Sequence, residues 1–145
     1  MKNSNHLDFA NSLKGKVALV TGGSGGIGYE CVNQLIVHGA RVIFTYVEGR
    51  KGESIAKKIV HENPNNLFAL PLDLQSYESI SNCIDNALNH WGKLDILINN
   101  AGVAWTGDLL SMPSDRWKWL MQMNLTSVFQ VCLEVVPFKM LHQLT

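Results

Sequence analysis

An α/β fold, a doubly wound parallel sheet with helices on both faces, follows from three observations. A strand-like run, Val17-Ala18-Leu19-Val20, passes through the turn Thr21-Gly22-Gly23-Ser24-Gly25-Gly26-Ile27-Gly28 into a helical pattern. Short runs of β-formers then alternate with segments of helical periodicity along the chain, which calls for parallel strands joined by helical crossovers. The length, 145 residues, suits one such domain with a real core. Right-handed crossovers put the strands in the order 3-2-1-4 and leave a crevice where the winding reverses.

Residues 1–14 read as a polar, poorly ordered lead-in. Val17 to Val20 is the first strand. After the glycine turn, Ile27, Cys31 and Leu35, with Val32 and Ile36, recur at helical spacing, and Gly39 ends that helix. Arg41 to Tyr46 is the second strand, rich in β-formers. Ile55 and Ile59, with Ala56 and Val60, mark the second helix, which stops at Asn63-Pro64. Leu67 to Leu72 is the third strand. Ser76 to Trp91 presents Ile80, Ile84, Ala87, Leu88 and Trp91 on one helical face, and Gly92 stops it. Leu94 to Ile98 reads as a buried fourth strand, broken by Asn99-Asn100-Ala101-Gly102. Pro113-Ser114-Asp115 opens a last helix through Trp117, Leu120, Met121 and Val128 to about Val136, with Pro137 ending or kinking it. Trp117 at this spacing is expected in the core, and Trp105 is a candidate border of the pocket.

Composition narrows the function. The formal net charge is zero, so no electrostatic case for nucleic-acid binding exists. No apolar run approaches transmembrane length, and the first residues carry no apolar stretch of the signal-peptide kind. Cys31, Cys83 and Cys132 are odd in number and widely spaced, which fits reduced thiols and a cytoplasmic location. His6, His38, His61, His90 and His142 show no ligand spacing with them, so no metal site is expected.

The glycine turn carries the chemistry. Gly23, Gly25 and Gly28 fit G-x-G-x-x-G literally, and Gly22, Gly26 and Gly28 form a second register. The second is preferred, because its first glycine directly follows the strand. Glycines there permit a tight turn and close approach of a pyrophosphate, and the helix start offers free N–H groups to that anion. No Gly-Lys-Ser/Thr ends the loop, so a nucleoside-triphosphate P-loop is excluded.

Four features taken together resemble the classical short-chain dehydrogenase/reductase family. They are Thr21-Gly22-x-x-x-Gly26-Ile27-Gly28, the pair Asp73-Leu74, Asn99-Asn100-Ala101-Gly102, and Asn124 in the last helix. The resemblance covers about Leu13 to Pro137 and implies a Rossmann-type domain over 15–137, ending after four strands, with 138–145 a divergent tail. It implies hydride transfer between NAD(P) and an alcohol or carbonyl. Gly22, Gly26 and Gly28 would make room for the pyrophosphate, with contacts from Ser24 and Ile27. Asp73 would accept from the adenine amino group, and Leu74 would pack near the ring. Asn99 would bridge the first and fourth strand ends near Thr21. Ala101 and Gly102 would admit the ribose, and Asn124 would hold a water in a proton relay. Tyr46 stands where the family's NAD-type acid sits, Arg50 and Lys51 follow Glu48, and the cofactor choice leans to NADP over NAD.

The family's acid/base pair, a tyrosine and a lysine four residues on, lies beyond the asparagine helix together with a serine on the preceding strand. No tyrosine follows Asn124 here, the one serine after it is Ser127, and Tyr77 has Ser81 at four residues. The chain is therefore expected to be the cofactor-binding half of an oxidoreductase, inactive alone. The alternative is a non-catalytic nucleotide-binding or partner-binding protein that self-associates or pairs with a full-length relative.

Overall fold

The computed structural model describes residues 11–49 and 51–142. Residues 1–10 of the polar lead-in, Arg50 and residues 143–145 of the tail lie outside the described residues. The elements are β1 (Val17–Val20), α1 (Gly26–Val37), β2 (Arg41–Tyr46), α2 (Lys51–Glu62), β3 (Leu67–Pro71), α3 (Tyr77–Trp91), β4 (Ile96–Ile98), α4 (Ser114–Met121) and α5 (Ser127–His142). All strand pairs are parallel and the order is β3-β2-β1-β4, as the alternation requires.

Alternation along the strands divides the core. Val17, Leu19 and Ile43 face α3 and α5, where they meet Ile80, Ile84, Ala87, Val131 and Val135. Ala18, Val20, Val42 and Phe44 face α1 and α2, where they meet Val32, Ala56 and Ile59. Each strand of the central pair is buried on both faces, which explains its unbroken apolar run. Local signals set the helix ends. Ser76 caps α3 by accepting the Ser79 N–H at 3.2 Å, and Gly92 closes it in the left-handed conformation at φ 70°.

Four expectations are corrected. Residues 11–15 form turns rather than a loose lead-in, because the Leu13 N–H donates to the His38 carbonyl at 2.8 Å at the end of α1. The fourth strand begins at Ile96, not Leu94. Asp95 substitutes side chain for strand there: its carboxylate accepts the Val17 N–H at 2.8 Å, while its own N–H donates to the Val17 carbonyl at 2.8 Å. The last helix is interrupted, and it continues through Pro137 to His142. A helix can bend at a proline and run on, at the cost of one N–H bond and crowding of the carbonyl four residues back. The interruption is a π-helical segment, Gln122–Thr126, in which the Ser127 N–H reaches back to the Gln122 carbonyl. The Ser127 hydroxyl meanwhile donates to the Met123 carbonyl at 2.7 Å. Trp117 is 54% exposed rather than in the core, because α4 buries no residue and α5 supplies the packing face.

Asp95 ties β1 to β4 at the end of the sheet remote from the glycine turn. Partial burial pushes its carboxyl up, but the Val17 N–H, Lys93 at 3.1 Å and Lys16 at 3.8 Å outweigh that and hold it below the usual range. A depressed carboxylate contributes stability that is present above its unfolded pKa of about 3.9 and is lost as pH falls through the folded value. Asp95→Asn is therefore expected to lose about 1–2 kcal/mol in urea unfolding at pH 7. The deficit should shrink as pH falls below the unfolded pKa of about 3.9 and the carboxylate protonates, and a gap that persists unchanged in acid would contradict this account.

Candidate functional site

The strand ends and the loops that follow them surround a cleft of 510 Å³ at the carboxyl edge of the sheet. Such a crevice beside the point where strand order reverses is where open α/β sheets hold ligands. The turn after β1 forms its floor, the ends of β2 and β3 one side, and the segment after β4 with α4 the other.

The glycine turn is shaped by close approach. Gly22 has φ +67° and Gly26 φ +55°, conformations that strain any residue with a Cβ. Gly28 has an ordinary φ but no room: a Cβ there would lie 2.3 Å from the Gly22 carbonyl oxygen and 2.4 Å from Asn100 Nδ2. Beside Gly25 and Gly26, by contrast, a Cβ would meet nothing within 4 Å, so the turn leaves open space outside itself. Helix α1 begins there with no side-chain cap and no acidic residue in its first turn. Its first N–H groups and the positive end of its dipole are thus left for an anion.

A polar knot holds the turn against β4. The Thr21 hydroxyl accepts the N–H groups of Asn100 at 3.0 Å and Ala101 at 3.1 Å. The Asn100 amide donates to the carbonyls of Thr21 at 2.9 Å and Gly22 at 3.2 Å. Thr45, buried on β2, accepts the Gly22 N–H at 3.0 Å. The bridging role expected of Asn99 therefore belongs to Asn100. Alternation explains the shift: Asn99 continues the Leu97 face towards α5 and donates to Cys132 Sγ at 3.5 Å, and it does not line the cleft.

Of the other expected residues, Gly22, Ser24, Ile27, Tyr46, Asp73, Leu74, Ala101 and Gly102 line the cleft, and Gly26 and Gly28 shape its floor. Ile27 is 80% exposed at the start of α1 and lines the cleft. The Asp73 carboxylate accepts the Gln75 N–H at 2.9 Å, a turn contact that leaves its second oxygen open. Burial raises the Tyr46 phenol above its ordinary pKa, with Glu53 and Glu48 adding to the effect and Lys57 opposing it. Asn124 lies in the π segment, and both its amide atoms are engaged by one residue: Oδ1 accepts the Val103 N–H at 2.9 Å and Nδ2 donates to the Val103 carbonyl at 2.7 Å. It fixes the segment after β4 in place.

Sequence reasoning missed Thr45, Asn100, Val103, Trp119 and Met123. Trp119 and Met123 stand one turn apart, a spacing that announces a shared face. Trp105, expected at the pocket border, packs instead over Gly107, where a Cβ would lie 2.6 Å from its ring. No cluster of ligating side chains able to hold a metal occurs among the described residues.

Comparison with known proteins agrees with this geometry. The family model described as short chain dehydrogenase matches residues 16–144. The rhamnolipids biosynthesis 3-oxoacyl-[acyl-carrier-protein] reductase of Pseudomonas aeruginosa is 39% identical over 128 residues, covering 87% of this chain and 48% of that protein. The 3-oxoacyl-[acyl-carrier-protein] reductase of Salmonella typhimurium is 37% identical over 125 residues, covering 86% and 50%. Among solved structures, a blue fluorescent protein from a metagenomic library in complex with NADPH superposes with TM-score 0.80 at 31% identity, covering 86% of this chain and 51% of that one. The Pseudomonas aeruginosa RhlG complex with NADP gives TM-score 0.78 at 35% identity, covering 90% and 49%. The chain spans about half the length of the curated relatives it matches.

The contact at Gly28 makes a sharp test. Gly28→Ala is expected to cost about 1–3 kcal/mol by overpacking against the Gly22 carbonyl and Asn100, and Gly28→Val more, with weaker dinucleotide binding in any fraction that folds. Gly25→Ala, at φ −174° with open space around it, should cost under about 1 kcal/mol. Urea unfolding of the three variants reads this directly, and equal losses at positions 25 and 28 would refute the close approach.

Proposed function

The chain belongs to the short-chain dehydrogenase family, and we propose that it is the cofactor-binding half of an NAD(P)-dependent oxidoreductase acting on an alcohol or carbonyl. The observation that carries this reading is the uncapped start of α1 behind a turn with open space at Gly25 and Gly26. That cradle fits a pyrophosphate, whose charge the free N–H groups and helix dipole favour. Gly22, Ser24 and Ile27 would hold the phosphates, Tyr46 the adenosine ribose, Asp73 and Leu74 the adenine, and Ala101 and Gly102 the second ribose. The nicotinamide, when bound, supplies the hydride or accepts it. The chain's own residues bind and orient: Asn100 and Thr21 hold the floor, and Asn124 holds the Val103 segment that faces the reacting end. In this reading Asn124 would also hold a water, through the amide N–H and lone pair not committed to Val103.

NADP is the favoured cofactor. Tyr46 replaces the acid that would bind the NAD ribose, and Glu53, the nearer carboxylate in α2, is engaged by Lys57 at 2.9 Å. The NADPH and NADP complexes of the two structural neighbours support the same choice.

No tyrosine follows Asn124 in the 145 residues, so the Tyr-x-x-x-Lys acid/base pair is absent from this chain. Calorimetric titration should show NADPH binding more tightly than NADH, while the chain alone gives no hydride transfer with simple alcohols or carbonyls. Absence of binding to either nucleotide would refute the cofactor reading. Robust turnover by the purified chain would refute its inactivity and demand another acid/base group.

A specific observation favours the second reading, a chain that works by pairing with itself or a longer relative. Among the described residues β4 is paired on one side only. Leu125, Phe129, Leu133 and Val136 are all at least half exposed along one stretch of helix. An open strand edge beside an apolar surface invites association. Light scattering across a dilution series should show self-association, and a sharply melting monomer at every concentration would rule it out.

A further inference from the structure

One wall of the cleft has no role in the reading above. Trp119 on α4 lines the cleft together with Met123, and it is half-buried, whereas Trp117 on the same helix is exposed. Met123 packs against the core cluster that contains Leu72 and Leu74. Trp119, four residues earlier, lies one helical turn from Met123 on the same side of the helix. Both line the same cleft as Asp73, Leu74 and Gln75. Arg116, three residues before Trp119, lies with its guanidinium 5.4 Å from the indole ring centroid. That contact steadies the ring and brings positive charge close to the cleft.

A large aromatic side chain that lines a cleft suited to a nucleotide is a candidate stacking surface. Every base has a π face, and an indole wall adds affinity without demanding a hydrogen-bond pattern. We infer that Trp119 is a cofactor-contacting residue that packs its indole against the adenine of the dinucleotide, across the cleft from Asp73 and Leu74. The inference rests on the proposed dinucleotide site and adds to it a residue outside the glycine turn and the strand ends. Trp119 closes the base into the cleft, so that α4 contributes to affinity as well as framing the segment after β4.

The test uses ADP-ribose, which carries the adenine half without the nicotinamide, and nicotinamide mononucleotide, which carries the other half. ADP-ribose does not absorb where indole emits, so it quenches only an indole that it touches. In the 145-residue chain, ADP-ribose should quench part of the tryptophan emission. Trp119→Leu should abolish that quenching and weaken ADP-ribose about tenfold or more by calorimetry. Trp119→Phe, which keeps a π face, should restore most of the affinity. Trp117→Leu should change neither signal, and unchanged circular dichroism in each variant confirms that the fold is intact. Undiminished ADP-ribose affinity in Trp119→Leu overturns the inference, as does a loss confined to nicotinamide mononucleotide. A parent chain that binds no dinucleotide at all overturns the cofactor reading first and this inference with it.

Discussion

The exchange between Thr21 and Asn100 is the constraint on which the rest of the site depends. One hydroxyl accepts two backbone N–H groups from the segment after β4, and one amide donates to two backbone carbonyls of the turn after β1. Each bond contributes only about 0.5–1.5 kcal/mol net, but leaving any of these half-buried groups unpaired costs more. The knot therefore locks together two loops that the β1–β4 pairing has brought side by side. Gly28 belongs to the same device, since only a residue without a Cβ lets α1 come within reach of the Gly22 carbonyl and the Asn100 amide. The open space for an anion and the walls of the cleft follow from that closeness.

The second half of the site is organised from α4 and the π segment. Asn124 is positioned by an irregular stretch of helix, and it commits one N–H and one oxygen lone pair of its amide to the backbone of Val103. A regular helix would rotate that side chain away from the loop, so the irregularity has a positional purpose. The same stretch presents Met123 to the core and sets Trp119 on the cleft side of α4. The apolar surface beyond it, from Leu125 to Val136, faces away from the cleft's floor and is available for other contacts.

Much of this was legible in the sequence. Strand and helix alternation led directly to the order β3-β2-β1-β4, and the bounds of β2 and α3 agree with their periodicity and capping residues. Most of the cleft residues named from the motifs do line it. The misses share a cause. Asn99 and Asn100 are adjacent and chemically identical, and only the pleat decides which one faces the turn. Trp117 and Trp119 have equal claim to a buried face until α4 is seen to bury no residue at all. Asp95 delays the start of β4 because its carboxylate takes the Val17 N–H, which no propensity reveals.

The sequence by itself determined the parallel sheet, the glycine turn and the start of α1 directly behind that turn. Those features are local, because periodicity, β-branching and glycine placement act over a few residues. The tertiary structure alone decided the partners. Which asparagine bridges the strands, which tryptophan enters the cleft and where the last helix breaks each depend on contacts between residues far apart in the chain. The Thr21–Asn100 knot joins positions separated by 79 residues, and a pairing at that distance is fixed by sheet register and crossover geometry rather than by any neighbour in sequence.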